Sequence, residues 1–192
     1  MNINKNFFFE NFKQITEHFK INELILKKII RCAEIFRESS TKNKKIIFIG
    51  NGASASISSH VAVDLTKGAK INAINFNEAN LITALTNDYG QEKWCQKALE
   101  MYYNIGDTIV LISSSGKSEN IVNAALWAIN NKANLITFTG FNNKNPLKKI
   151  NKKGINFWVK SRAYNHIELV HLYWLLSIVD YLIGKNVYKV NL

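Results

Sequence analysis

The chain has 192 residues, 47% of them hydrophobic and 20% charged, with a formal charge of +11 and a mean hydropathy of −0.10. That length and balance predict one globular α/β domain with a sizeable core. No apolar run reaches bilayer length, the first twelve residues lack the sections of a signal peptide, and no Cys/His zinc spacing appears. Cys32 and Cys95 stand apart and read as reduced thiols, so the expected location is the cytoplasm, with no membrane partner. Lysines gather at 42–45, 67–70 and 144–153, separate places that read as solvated surface ahead of nucleic-acid binding.

Residues 4–40 carry helical periodicity with a break near Asn22. Phe8, Phe12, Ile15 and Phe19 share one face, and Ile25, Ile29, Cys32, Ala33 and Phe36 form a second set. Such a helical pair must cover its own sheet or another subunit. The β-branched run 46–49 stops at Gly50-Asn51-Gly52, and 54–65 reads as a helix packed through Ala55, Ser58, Ala62 and Leu65. On another side of that helix His60 and Asp64 stand one turn apart. A second strand is predicted at 71–76, then a short helix at 81–85, a polar turn at 87–90 and helical spacing over 91–103. The third strand, 108–112, precedes a helix over 120–131 with Ile121, Ala124, Ala125, Ala128 and Ile129 inward. A fourth strand at 134–139 leads to Pro146 in a basic loop or short helix, a fifth strand at 155–159, and a long apolar helix over 163–183. Strands alternating with helices argue for βαβ units and a parallel sheet within a single domain, 1–192.

Two strand ends carry unusual loops. After the first, glycines permit close backbone approach, and the opening turn of a helix offers N–H groups without internal partners, so a phosphate can take them. An ordinary strand-to-helix turn would look much the same. The second loop separates the readings: Ser113-Ser114-Ser115-Gly116-Lys117-Ser118 has four hydroxyls and a glycine in six residues, more than a turn needs. Loops at the carboxyl ends of neighbouring parallel strands converge on one crevice, so 50–54 and 113–118 are expected to face one ligand.

The motifs GNGASAS (50–56), TALTNDYGQE (83–92), ISSSGKSEN (112–120) and IELVH (167–171) together resemble the SIS (sugar isomerase) domain family, nearest its phosphoheptose isomerase branch. The resemblance implies a three-layer α/β/α sandwich on a five-stranded parallel sheet with flavodoxin-like winding, preceded by two helices used in packing and oligomerisation. It also implies a homodimer or homotetramer, a phosphorylated sugar as ligand, and sites lined by more than one subunit. Asn51, Gly52, Ala53, Ser54, Asn87, Asp88, Ser113, Ser114, Ser115 and Ser118 match its substrate-contacting positions. Its catalytic glutamate is matched by Asp64 and its catalytic histidine by Leu176, while of a His, Glu, Gln, His set that can hold zinc the first three positions are matched by His60, Asp64 and Glu168, which stands where the family has glutamine.

Aldose–ketose isomerisation through an enediol needs a base and an acid near the carbonyl. His60, Asp64 and Glu168 are the candidates, with Glu168 as base and His60 as acid. A constellation that adds His171 would offer four ligands; the plainer reading makes His171 a hydrogen-bonded structural residue. The functional expectations are therefore a phosphosugar isomerase, of sedoheptulose 7-phosphate or a related substrate, or a catalytically silent relative that regulates by binding a phosphosugar or a protein.

Overall fold

In the computed structural model, which describes residues 4–184, the apolar runs form one sheet. Its strands are β1 (Ile46–Gly50), β2 (Ala73–Asn75), β3 (Thr108–Ser113), β4 (Asn134–Thr139) and β5 (Ile155–Trp158). They lie in the order β2-β1-β3-β4-β5, and every pair is parallel, with Ile46 beside both Ala73 and Thr108. The helices are α1 (Lys5–His18), α2 (Glu23–Thr41), α3 (Ala53–Lys67), α4 (Ala79–Tyr89), α5 (Trp94–Tyr102), α6 (Glu119–Asn130), α7 (Pro146–Ile150) and α8 (Tyr164–Ile183).

Side-chain alternation along β1 divides the core. Ile46 and Phe48 join α2, α3 and α8 on one face, where Phe36, Leu65 and Trp174 are buried, while Ile47 and Ile49 join α5 and α6 on the other through Trp94, Leu99 and Ala125. The sheet is covered on both faces, which is why β1 and β3 are buried along their whole length and apolar through Ile46–Ile49 and Ile109–Ile112. The expected three-layer α/β/α sandwich is thus the observed one. The expected single domain, 1–192, extends at both ends beyond the described residues.

Several local expectations are corrected. The break near Asn22 is a helix cap, its side chain accepting from the Ile25 N–H, and Asn4 does the same for α1. Only Ile15 of α1 is buried; Phe8 and Phe12 are 51% and 64% exposed, because α1 lies against α8 rather than over the sheet. Phe19 packs edge-on against Tyr173, and His18 rests beside the buried His166. Asn87 and Asp88 belong to the last turn of α4, which Glu78 caps and Gly90, at φ +91°, ends. Ile129 is exposed, one 100° step past the stripe that Ala128 closes, and Ala55 gives its inward place to Ser54 and Ile57.

α8 also departs from the expectation that no segment reaches bilayer length. Its 20 residues and mean hydropathy of 1.3 would suffice by length and composition alone. In the fold it packs on α2 and α3 and buries Ile167, Val170, Trp174, Leu175, Ile178 and Val179, which accounts for its apolar character. Gly184, in the left-handed conformation, closes it.

Candidate functional site

The order β2-β1-β3 places the winding reversal between β1 and β3, so the loops leaving their carboxyl ends border one crevice. There a cradle of about 270 Å³ is lined by Asn51, Gly52, Ala53 and Ser54 from the first loop and by Ser113, Ser114, Ser115 and Ser118 from the second. Glu168 and Tyr164 of α8 complete its wall.

Local chemistry explains the shape. A Cβ on Gly50 would lie 2.5 Å from the Ser54 carbonyl oxygen, so only glycine lets the chain turn back so tightly. Gly52, at φ +55°, starts α3 with no side-chain cap, and Ser118 starts α6 likewise, leaving first-turn N–H groups beside the crevice. Uncapped helix starts carry partial positive charge and suit an anion. Gly116, at φ +62°, rests against the side chain of Asn145, which is 1% exposed. Asn145 accepts from the Lys148 N–H at 2.9 Å to cap α7, and the Leu147 N–H donates to the Gly116 carbonyl at 3.1 Å. This short helix is therefore the floor of the serine loop. Ser113 and Ser118 are joined at 3.3 Å, and Ser115 Oγ accepts from the Lys117 N–H. Ser114 Oγ is buried in the cradle wall with no hydrogen bond of full geometry among the described residues, its neighbour being the Glu168 carboxyl.

Ala53 and Glu168 also line a second chamber, of about 490 Å³, between α3 and α8. Its other walls include His60, Ile57, Asn165 and Leu172. His60 in turn lines a third, of about 170 Å³, with Asp64, Leu176 and Asp180. Cradle and chambers thus follow one another along the α3–α8 groove. Burial holds the Glu168 carboxyl above the usual carboxylate range, partly offset by the Ser114 hydroxyl nearby. His60 Nε2 lies 3.1 Å from Asp64 Oδ2, a contact that fixes the ring. Asp180 is likewise raised, by burial and by the neighbouring Asp64.

Not every candidate converges. Asn87 and Asp88 sit on the exposed end of α4, hydrogen-bonded to each other at 3.0 Å, and line neither the cradle nor the chambers beside it. The zinc set is not assembled. His60 and Asp64 adjoin, Glu168 faces the neighbouring chamber, Leu176 brings no donor, and no three His, Cys, Asp or Glu side chains group as metal ligands among the described residues. The donors present in this chain do not make a ligand set for the ion. His171 turns inward: fully buried against Phe138, it donates from Nε2 to the Thr139 carbonyl at 3.1 Å, and burial pushes its pKa down to about 4. The four-ligand alternative falls with it, and His171 is structural.

Sequence reasoning passed over Asn120. It exchanges two hydrogen bonds of 3.0 Å with Asn51, and its amide also donates to Cys95 Sγ at 3.3 Å. The available signal was a polar residue one step before the apolar stripe of α6. Asn145 was equally silent, a loop asparagine that only its burial reveals.

Residues 7–140 match the SIS domain, which is more than half of the chain. The chain belongs to the SIS domain family. This SIS domain is 28% identical over 189 residues to the phosphoheptose isomerase of Buchnera aphidicola, covering 93% of this chain and 95% of that one. It is 32% identical over 164 residues to that of Akkermansia muciniphila, covering 82% and 85%. Among solved structures, a phosphoheptose isomerase from Francisella tularensis superposes with a TM-score of 0.83 at 25% identity, covering 94% of this chain and 96% of that one. One from Neisseria gonorrhoeae gives 0.82 at 24%, covering 93% and 96%, a likeness of fold.

Proposed function

We propose that the protein is an aldose–ketose isomerase of a phosphorylated sugar, with sedoheptulose 7-phosphate the first candidate. The observation that carries this reading is that the cradle shares Ala53 and Glu168 with the chamber that His60 also lines. The relatives named phosphoheptose isomerase support it.

In this reading the phosphate rests on the serine loop and the two uncapped helix starts, and the sugar chain enters the second chamber. Glu168 takes the proton α to the carbonyl while His60 protonates the carbonyl oxygen, giving the enediol. Glu168 then returns its proton to the adjacent carbon and His60 recovers one from the adjacent hydroxyl, so both groups end as they began. A raised carboxyl is better matched to this proton transfer than an ordinary one. Asp64 lies one helical turn past His60, its carboxylate against the His60 ring and outside the lining of the second chamber. Its part is to orient His60.

A homodimer or homotetramer belongs to the same reading. It is supported by the exposed Phe7, Phe8, Phe9 and Phe12 of α1 and by Asn87 and Asp88, which are exposed away from this chain's own cradle. Cys32 and Cys95, buried as free thiols, accord with the cytoplasm.

The test is conversion of sedoheptulose 7-phosphate to the aldose by purified protein. Glu168→Gln should lower turnover by roughly 100-fold or more and still bind inorganic phosphate. A wild type that neither binds nor converts phosphosugars refutes the reading. Leu176 and the shortened Asp64 favour a second one, a silent regulator, for which stabilisation by the phosphosugar without turnover would decide.

A further inference from the structure

The cradle is built from two loops on different strands, and its affinity depends on their being held at one spacing. Gly50 and Ile112 are the last partners across the β1–β3 ladder, and beyond them that ladder no longer sets the spacing of the loops. Asn51 is the first residue past β1, and Asn120 is the second residue of α6, which leaves the serine loop. Their amides exchange hydrogen bonds in both directions at 3.0 Å, a direct side-chain link between the two loops.

The donor count is informative. A side-chain amide has two N–H donors. Asn120 spends one on Asn51 Oδ1 and one on Cys95 Sγ, and it is 5% exposed, so nothing of its donor capacity is left for a ligand. Asn51 is exposed, lines the cradle and spends one donor on Asn120, which leaves the other free. Cys95 is itself fully buried on α5, and burial pushes its thiol up, so it remains a neutral partner that anchors the pair to the neighbouring helix of the same layer.

From this geometry we infer that Asn120 is a positioning residue, which sets the Asn51 amide and locks the first loop to the serine loop so that they bind the phosphosugar as one unit. The inference rests on the phosphosugar reading above. Without Asn120, Asn51 regains its rotamers and the α3 start can drift from Ser113–Ser118 while every phosphate-contacting group remains present. Asn120 does not touch the ligand; it acts through Asn51.

A double-mutant cycle tests this on the full chain. Dissociation constants for sedoheptulose 7-phosphate and for inorganic phosphate are measured by calorimetry on wild type, Asn51→Ala, Asn120→Ala and the double variant, each checked as folded by circular dichroism. Asn120→Ala should weaken phosphosugar binding roughly tenfold, and the double variant should bind no worse than the weaker single one, because contacting residues of one network are not additive. Cys95→Ser, which keeps a partner for the Asn120 amide, should bind within about twofold of wild type. Multiplying single effects, or an Asn120→Ala variant that binds as wild type, would overturn the inference and leave the reading standing. A wild type that binds neither probe would overturn both. If Asn120→Ala and Asn120→Leu both fail to fold, Asn51→Ala alone decides: a stability loss with unchanged phosphosugar affinity means the pair only supports the fold.

Discussion

Replacing His171 by glutamine should flatten the acid side of the stability profile. In the native protein this ring is fully buried, donates to the Thr139 carbonyl, and leaves Nδ1 without a partner among the described residues. Burial disfavours the imidazolium and brings the pKa from 6.5 to about 4. The sign follows from which state takes the proton. Above pH 6.5 both states are neutral at this site, and there is no effect. As pH falls, the unfolded chain is protonated first, and stability is lost until the folded pKa is passed. At ~1.36 kcal/mol per pH unit the full span is worth about 3 kcal/mol, of which about 2 kcal/mol falls between pH 7.5 and pH 5. Glutamine can still donate to Thr139 and cannot titrate. Urea unfolding of both proteins at several pH values should therefore show the variant losing about 2 kcal/mol less than wild type across that interval. Raised carboxyls such as Glu168 and Asp180 slope the other way, but they are common to both proteins and cancel in the difference. Parallel acid limbs would refute the reasoning and return His171 to the list of groups that ionise in the folded protein.

Two further substitutions probe the serine loop. Gly116→Ala places a methyl 2.2 Å from Asn145 Oδ1 at φ +62°, so Asn145 must move. Thermal unfolding should show a loss of about 2 kcal/mol or more, with phosphate binding abolished; an unchanged melting temperature would contradict it. Ser114→Ala removes a hydroxyl that makes no full hydrogen bond among the described residues and only neighbours the Glu168 carboxyl, so stability should stay within about 0.5 kcal/mol. Phosphosugar affinity should nevertheless fall roughly tenfold by calorimetry if that hydroxyl serves the ligand.

The strands, their parallel order and the meeting of the two loops were legible because each rests on local chemistry. β-branched runs of four to six residues form buried strands, and Gly50, Gly52 and Gly116 mark turns that other residues would strain. The extent of α4 was not legible. Asn87-Asp88 has the composition of a turn, and only the cap at Glu78 and the stop at Gly90 show that the helix carries through it. The role of α1 failed for a different reason. Phenylalanines at helical spacing say that a face is apolar, and they do not say what covers it. His60 and Asp64 could be paired from their i, i+4 spacing, whereas the separation of Glu168 from that pair depends on how α8 crosses α3, which no periodicity encodes.

The altered catalytic positions are best weighed by where they fall along the groove. The resemblance expects a glutamate at 64 and a histidine at 176, and this chain has aspartate and leucine. Both positions line the third chamber, which shares no lining residue with the cradle, and neither lines the second chamber, whereas His60 lines the second and third alike. Position 168, where the resemblance expects glutamine, borders cradle and second chamber alike and here bears a carboxyl. Glutamine can hold a sugar hydroxyl but takes no proton at neutral pH, whereas a desolvated glutamate can. In the proposed mechanism the proton-accepting carboxylate has thus passed from α3 to α8, and His60 is the group that both arrangements share. The mechanism makes a specific demand: turnover must be more sensitive to Glu168→Gln than to Asp64→Asn, since the first removes the base and the second only loosens the ring of His60.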